Sequence, residues 1–401
     1  MCTGTPCARP TLNDDAVPSL FSWTSENKYA RQRTERQMRR QSTHIQPCED
    51  VLTMSACLDT TCPEIAAAVI IDDTISPAAE PPEQDDATLP TTSEAWSQTE
   101  SDVPFDIDKF IFDDEAIHYY TGLENNSKVM FVLSTLGHAV YNLSYYAHKC
   151  ENLSVPNQFF LVLIKLRVHV PNFQLSRMFG ISKNSVSNIF ITWINFMACQ
   201  WREIDIMPSR EMTTFHMPDD YVKKFPRTRV IIDGMECPIM KPKNPHAQQA
   251  TFSSYKNRNT LKVVVGSSPG GVINLVSPAY GGSISDRQLT ERIQLGKACD
   301  PGDQIMADKG FNIQDIVGLN DVHVNMPTFL KKGNQFQPKV LARDRQIASK
   351  RVHIERHIGL AKTYKILSQP MNMNEACLGS EIIFICCMLC NFRSSIIPRT
   401  V

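Results

Sequence analysis

The strongest constraint on the fold lies in the second half of the chain, where short, wholly apolar runs end on acidic residues. Val230-Ile231-Ile232 closes on Asp233, and Gln304-Ile305-Met306-Ala307 closes on Asp308. Unbroken apolar runs of this length suit strands buried on both faces, as in a sheet with helices packed against either side. Leu261 to Gly266 and Val272 to Val276 read as two further strands joined by the turn Ser268-Pro269-Gly270-Gly271, and His323 to Asn325 as a fifth. Helices are expected from Ser285 to Leu295 and over the basic run from Leu341 to Leu367, which carries Glu355. The expectation is an α/β domain over residues 216–395, a mixed sheet with flanking helices.

Two aspartates at strand ends and a glutamate on a later helix are costly to gather, because close carboxylates repel and need a neutralising charge. Divalent cations supply it. Mg²⁺ or Mn²⁺ takes hard oxygen ligands and leaves positions open for water and phosphate, and two ions about 3.5–4 Å apart stabilise both the attacking and the leaving oxygen. Asp233, Asp308 and Glu355 are therefore the candidate catalytic residues and metal ligands. The chemistry they suit is phosphodiester cleavage by water or strand transfer by a 3′-hydroxyl. Singly, each has an ordinary explanation: an Asp after a strand forms turns, and a Glu in a basic helix forms surface ion pairs.

Overall charge decides nothing, since 41 Lys and Arg face 42 Asp and Glu. Its distribution is more telling. Asp and Glu gather between Asp72 and Glu115, whereas Lys331 to Lys365 holds ten basic residues against only Asp344 and Glu355, a local positive field suited to phosphates. The 13 cysteines are scattered through a long chain with no charged-then-apolar leader at Met1, so a reducing compartment is expected. Cys386, Cys387 and Cys390 sit in an apolar run, Ile382 to Cys390, too short to span a bilayer, which needs about 20 residues. They read as core thiols. Cys57 and Cys62 have no second ligand pair at a matching interval, which argues against zinc there.

Residues 104–215 read as helical. Val129, Phe131, Val132, Leu136 and Val140 give an amphipathic period over Lys128 to His148, and a second helix runs from Phe159 to His169 before Pro171. Leu175 to Met197 then reads as two helices joined at Phe179-Gly180-Ile181-Ser182, with Gly180 for the left-handed turn position and Ser182 as cap. This is helix-turn-helix grammar over residues 174–198, in which the second helix enters the major groove by its early residues. Lys183, Asn184, Ser185 and Ser187 are the candidate DNA contacts. The same turn also occurs in ordinary bundles.

Local sequence narrows the choice. Ile-Ile-Asp-Gly-Met-Glu, Ala-Asp-Lys-Gly-Phe and Arg-Val-His-Ile-Glu-Arg, in this order and at intervals of 75 and 47 residues between the acids, resemble the three catalytic blocks of the Harbinger (PIF) branch of DDE transposases. That group includes host-captured nucleases. The resemblance runs from about Tyr119 to Leu367. It takes in Tyr120-Thr121-Gly122-Leu123, the helix-turn-helix, Ser253-Ser254-Tyr255-Lys256, Asn259-Thr260-Leu261-Lys262, Gly281-Gly282, Ser285-Asp286 and Lys350-Arg351. It implies a ribonuclease-H-like catalytic core and two Mg²⁺ or Mn²⁺ ions on Asp233, Asp308 and Glu355. Lys256, Lys262 and Arg351 become contacts to DNA phosphates, although plain surface solvation would equally explain such cations. Double-stranded DNA, a separate Myb-like DNA-binding protein and further copies of the chain are the implied partners, and the nucleus is the implied location. Asp286 is read as a helix N-cap that could also assist at the site. Phe252 stands where the family often has Trp, and Met235 where Thr is frequent.

Residues 1–103 are polar, rich in Pro, Thr, Asp and Glu, and without a sustained period, so they are expected to be disordered. Within them Lys28 to Arg40 is a basic stretch suited to nuclear import or DNA tethering, or simply to solvation. Asp15-Ala16-Val17-Pro18-Ser19-Leu20-Phe21 resembles the closing box of the THAP zinc module, without the Cys and His ligands that should precede it; residues 13–22 are read as a remnant. Two other functions compete with a DNA endonuclease. One is a captured, catalytically silent DNA-binding protein on the same scaffold. The other is a metal-carboxylate phosphatase, which leaves the helix-turn-helix unexplained.

Overall fold

The computed structural model describes residues 105–148, 150, 152–328 and 338–395. The expectations for the 1–103 tail, its basic stretch, Cys57 and Cys62, and the closing box at 13–22 lie outside the described residues, as do Lys331 and Lys332.

Helix α1 (Asp114–Thr121) is capped by the Asp113 side chain and ends on Gly122, whose φ of 80° is left-handed. Thr121 seals this end, its hydroxyl donating to the Ile117 carbonyl and accepting from the Leu123 amide. The Tyr120-Thr121-Gly122-Leu123 block is thus a helix stop. The long helix expected from Lys128 to His148 does not form as one piece. Helix α2 (Asn126–Ser134) ends early, because the Ser134 and Thr135 hydroxyls turn back on the Phe131 and Val132 carbonyls and Gly137 takes a φ of 70°. A short 3₁₀ turn follows, and the chain then crosses the next helices through Tyr146 N to Thr192 Oγ1 (3.1 Å) and Ala147 N to Asn188 Oδ1 (2.9 Å).

Helix α3 (Val155–Val168) begins with a Ser154 cap and Pro156 in its first turn. Helices α4 (Asn172–Met178) and α5 (Lys183–Arg202) form the helix-turn-helix on the expected signals: Gly180 has a φ of 65°, and the Ser182 side chain accepts from Ser185 N. Val186, Ile189, Phe190 and Trp193 are buried along one face of α5. The short helices α6 (Arg210–Phe215) and α7 (Asp219–Lys224) lead into the sheet.

Strand β1 (Thr228–Pro238) is longer than its apolar run suggests. Beyond Asp233 the pattern changes from continuous to alternating, with Met235 and Cys237 buried and Gly234 and Glu236 half-buried. After it come α8 (Pro245–Thr251), β2 (Phe252–Ser253), β3 (Arg258–Ser267), β4 (Ile273–Val276) and β5 (Tyr280–Gly281). Then come α9 (Asp286–Ile293), β6 (Gln304–Met306), α10 (Gln314–Val317) and β7 (His323–Asn325). The sheet runs β2-β3-β1-β6-β7, with β4 and β5 also on β3. β1 is antiparallel to β3 and parallel to β6, and β6 is parallel to β7, so the sheet is mixed as expected.

Helix α11 (Pro338–Ala361) crosses β1 and β3 and is followed by α12 (Lys365–Ser368), α13 (Met373–Cys377) and α14 (Gly379–Asn391). α14 packs on both α5 and β4, and one continuous apolar cluster joins the amino-terminal helices to Ile231, Met235 and Cys237 on one face of the sheet. A second cluster, with Val230, Ile232, Val264, Leu289 and Ile305, fills the other face. Each large side chain so buried contributes about 1.5–3 kcal/mol. Cys386, Cys387 and Cys390 are buried free thiols in α14, as the sequence implies; burial pushes the first two well up and the third up to about 12. No helix among the described residues is long and apolar enough to cross a membrane.

A charged cluster lies inside this core. The Lys165 ammonium on α3, 4 % exposed, meets Glu375 Oε1 at 2.9 Å, and the other oxygen of Glu375 meets His169 Nε2 at 3.1 Å. Asn172 accepts from Lys165 Nζ and passes its own amide hydrogen to Ser187 Oγ on α5.

Candidate active site

Strand register brings the two aspartates together. β1 and β6 pair in parallel with Ile231 opposite Met306, and β6 ends there while β1 continues. Asp233 and Asp308 each stand two residues further on, so they leave the pairing side by side with side chains toward one face. Asp233 is therefore inside its strand, still paired with Val265 of β3, and not at a strand end as its apolar run implied. Across this face runs α11, with Arg351 and Glu355 one turn apart.

A single guanidinium gathers the three acids. Arg351 Nη1 lies 2.9 Å from Asp308 Oδ1, and Nη2 lies 3.8 Å from Asp233 Oδ1 and 3.9 Å from Glu355 Oε1. Arg351 is 11 % exposed and Asp233 23 %, whereas Asp308 and Glu355 are about half exposed at 49 % and 55 %. The site is thus an open shelf with one sheltered carboxylate. Burial pushes the Asp233 carboxyl above its ordinary value, and Asp308 and Glu355 push the same way, against the Gly234 amide at 2.8 Å and Arg351. One cation does not offset three acids there. Beside them burial holds the His353 imidazole down to about 4, with Lys350, Arg356 and His357 acting in the same sense.

The donor set fits a hard divalent cation, since all three groups offer oxygen, come from three different elements and converge on one point of positive charge. Among the described residues no three His, Cys, Asp or Glu side chains are grouped to hold a metal ion, because Arg351 sits between the carboxylates. A cavity of about 770 Å³, lined by Met212, Phe215, Gly270, Val272 and His357 among others, contains none of the three. A shelf suits a long polymer better than an enclosed small molecule.

Residues 232–391 match the family model described as DDE superfamily endonuclease, and residues 151–203 match the one described as helix-turn-helix of DDE superfamily endonuclease. The chain carries a DDE superfamily endonuclease domain. The first match takes in Asp233, Asp308 and Glu355, and the second takes in α3, α4 and α5. No curated protein and no solved structure matches the chain.

Of the cations assigned to DNA from the sequence, the DDE domain exposes only Lys256, at the turn between β2 and β3 with its ammonium 4.5 Å from the centre of the exposed Tyr255 ring. Lys262 is 12 % exposed, paired with Asp286 at 2.9 Å and donating to the Ile284 carbonyl. Arg351 is held by the carboxylates. Both are paired inside the domain, because each has an acid within reach that sequence spacing did not reveal. In the helix-turn-helix, Lys183 and Asn184 are exposed, whereas Ser185 meets Ser182 and Ser187 accepts from Asn172. Asp286 is not the cap of α9: Ser285 is, through a capping box with Gln288. In the same stretch as Lys256, Lys241, Lys243 and Arg258 are also exposed, and no Asp or Glu occurs between Cys237 and Ser285.

Proposed function

We propose that this protein is a Harbinger-type, metal-dependent DNA endonuclease that cuts phosphodiester bonds with Asp233, Asp308 and Glu355 as the ligands of two Mg²⁺ or Mn²⁺ ions. The observation that carries the proposal is the convergence of three carboxylates from β1, the loop after β6 and α11 on one guanidinium, at an open shelf of a DDE domain. When bound, the ions supply Lewis acidity at the scissile phosphate and a nucleophile at neutral pH. Asp233, the sheltered member, fixes the deep end of the site, and the exposed Asp308 and Glu355 face the substrate side. Arg351 keeps the acids apart and oriented while their charge is otherwise unbalanced. Lys183 and Asn184 on α5 meet base edges or backbone in the major groove, and Lys256 with Lys241, Lys243 and Arg258 tracks phosphates. Action in the nucleus, with a Myb-like DNA-binding partner and as a homo-oligomer, completes the proposal.

A captured, silent DNA-binding protein is the second reading, favoured by the seat of Arg351 among the acids. Supercoiled-plasmid nicking with Mg²⁺ or Mn²⁺ separates the two. Wild type is expected to nick and Asp308→Ala to lose roughly a thousand-fold, the scale of several kcal/mol of transition-state stabilisation. Equal nicking by both, or none by either with salt-dependent DNA binding intact, would rule out catalysis.

A further inference from the structure

Ser285 caps α9, which leaves the Asp286 carboxylate free for another task. Its Oδ1 lies 2.9 Å from Lys262 Nζ, and that ammonium also donates to the Ile284 carbonyl at 3.2 Å, so the pair is clamped to the start of the helix. The carboxylate fills a slot between two glycines. A methyl group on Gly234 would stand 3.1 Å from Oδ1, and one on Gly310 would stand 3.1 Å from Oδ2. Neither glycine has a left-handed φ, so backbone conformation does not demand glycine at either place. A Cβ at either place would instead press on the carboxylate, which would have to give by a few tenths of an ångström. Gly234 directly follows Asp233, and Gly310 lies two residues past Asp308. Strand alternation puts the Gly234 position on the face opposite the Asp233 side chain, and hence opposite Arg351. Asp286 thus underlies the gap between the two aspartates, wedged between the strand that carries one and the loop that carries the other.

We propose that Asp286, clamped by Lys262, is a positioning residue that sets the spacing of Asp233 and Asp308 for divalent cation binding. The proposal rests on the endonuclease reading above. Groups that orient metal ligands from behind cost about 10–100-fold in metal affinity when removed. Asp286→Asn keeps the shape of the wedge and loses its clamp. Asp286→Glu adds a methylene and moves the carboxylate off its place between the glycines, and Gly310→Ala narrows the slot while leaving every charge in place.

The test is calorimetric titration of the full chain with Mn²⁺, beside a thermal melt and a duplex-DNA affinity. In Asp286→Asn, Mn²⁺ affinity is expected to fall about 10–100-fold with melting temperature and DNA affinity close to wild type. Asp286→Glu is expected not to restore it, and Gly310→Ala to weaken it in the same direction. Unchanged Mn²⁺ affinity in folded Asp286→Asn and Gly310→Ala, with wild type binding normally, overturns this proposal alone. Wild type that takes up no Mn²⁺ overturns the endonuclease reading and this proposal with it.

Discussion

The charged clusters around Glu375 and around Arg351 are built on opposite principles. Around Glu375, the Lys165 ammonium, the His169 ring and the Asn372 amide surround one carboxylate in the core. Burial opposes its ionisation, but the His169 hydrogen bond, the Lys165 charge and the Asn372 amide outweigh it and hold the carboxyl down to about 2. Around Arg351 the ratio is inverted, with three carboxylates on one cation at a half-open shelf, and the sheltered acid is pushed up. The first cluster is satisfied and ties α3 to α13. The second is under-neutralised by the protein alone, as the proposed cation site requires.

The largest effect should come from breaking the satisfied cluster. Glu375→Gln leaves the Lys165 ammonium buried without its counter-charge and should cost roughly 3–5 kcal/mol in urea unfolding, with no change in cutting by the protein that remains folded. Because the folded carboxyl lies below its ordinary value of 4.5, wild type holds this contribution above that pH and loses it as pH falls toward about 2. The acid limb of a stability-against-pH curve should therefore flatten over that window in Glu375→Gln. A smaller and conditional effect is expected at the other cluster: Arg351→Met removes the only cation among three acids and should cost about 1.5–3 kcal/mol, the scale of charged hydrogen bonds, in a melt without divalent ions. Added Mg²⁺ should recover most of that loss. If Mg²⁺ recovers nothing, Arg351 is a structural brace and the contrast between the clusters fails. Smallest is Lys183→Ala on the helix-turn-helix, expected to weaken duplex binding modestly and to lower the salt slope by about 1, without moving either stability.

The two clusters also differ in how far the sequence reveals them. Asp233 and Asp308 were legible because a buried strand announces itself as an apolar run and an acid at its close stands out. The helix-turn-helix was legible through Gly180 and Ser182, whose conformational roles are local. The continuation of β1 past Asp233 was not, since Gly234 and Glu236 interrupt the apolar run and only pairing with β3 keeps the strand going. The expected helix over Lys128 to His148 failed for a related reason: its apolar period persists while the Ser134 and Thr135 hydroxyls and Gly137 end the backbone pattern. Partners were the least legible of all. Lys165 and Glu375 are 210 positions apart, Lys262 and Asp286 meet across a strand and a helix, and Arg351 looks like one more solvated cation of a basic helix until the sheet register places two aspartates beneath it.

The central claim is that the acids beside Arg351 are gathered to hold cations at a cost in stability. A thermal melt of wild type and Asp308→Asn, each with and without saturating Mn²⁺, tests it most directly. Without Mn²⁺ the variant, relieved of one repelling charge, should melt at or above wild type, and Mn²⁺ should raise wild type markedly and the variant little. If Asp308→Asn melts below wild type without the ion and Mn²⁺ shifts both equally, the acids are structural and the claim is wrong.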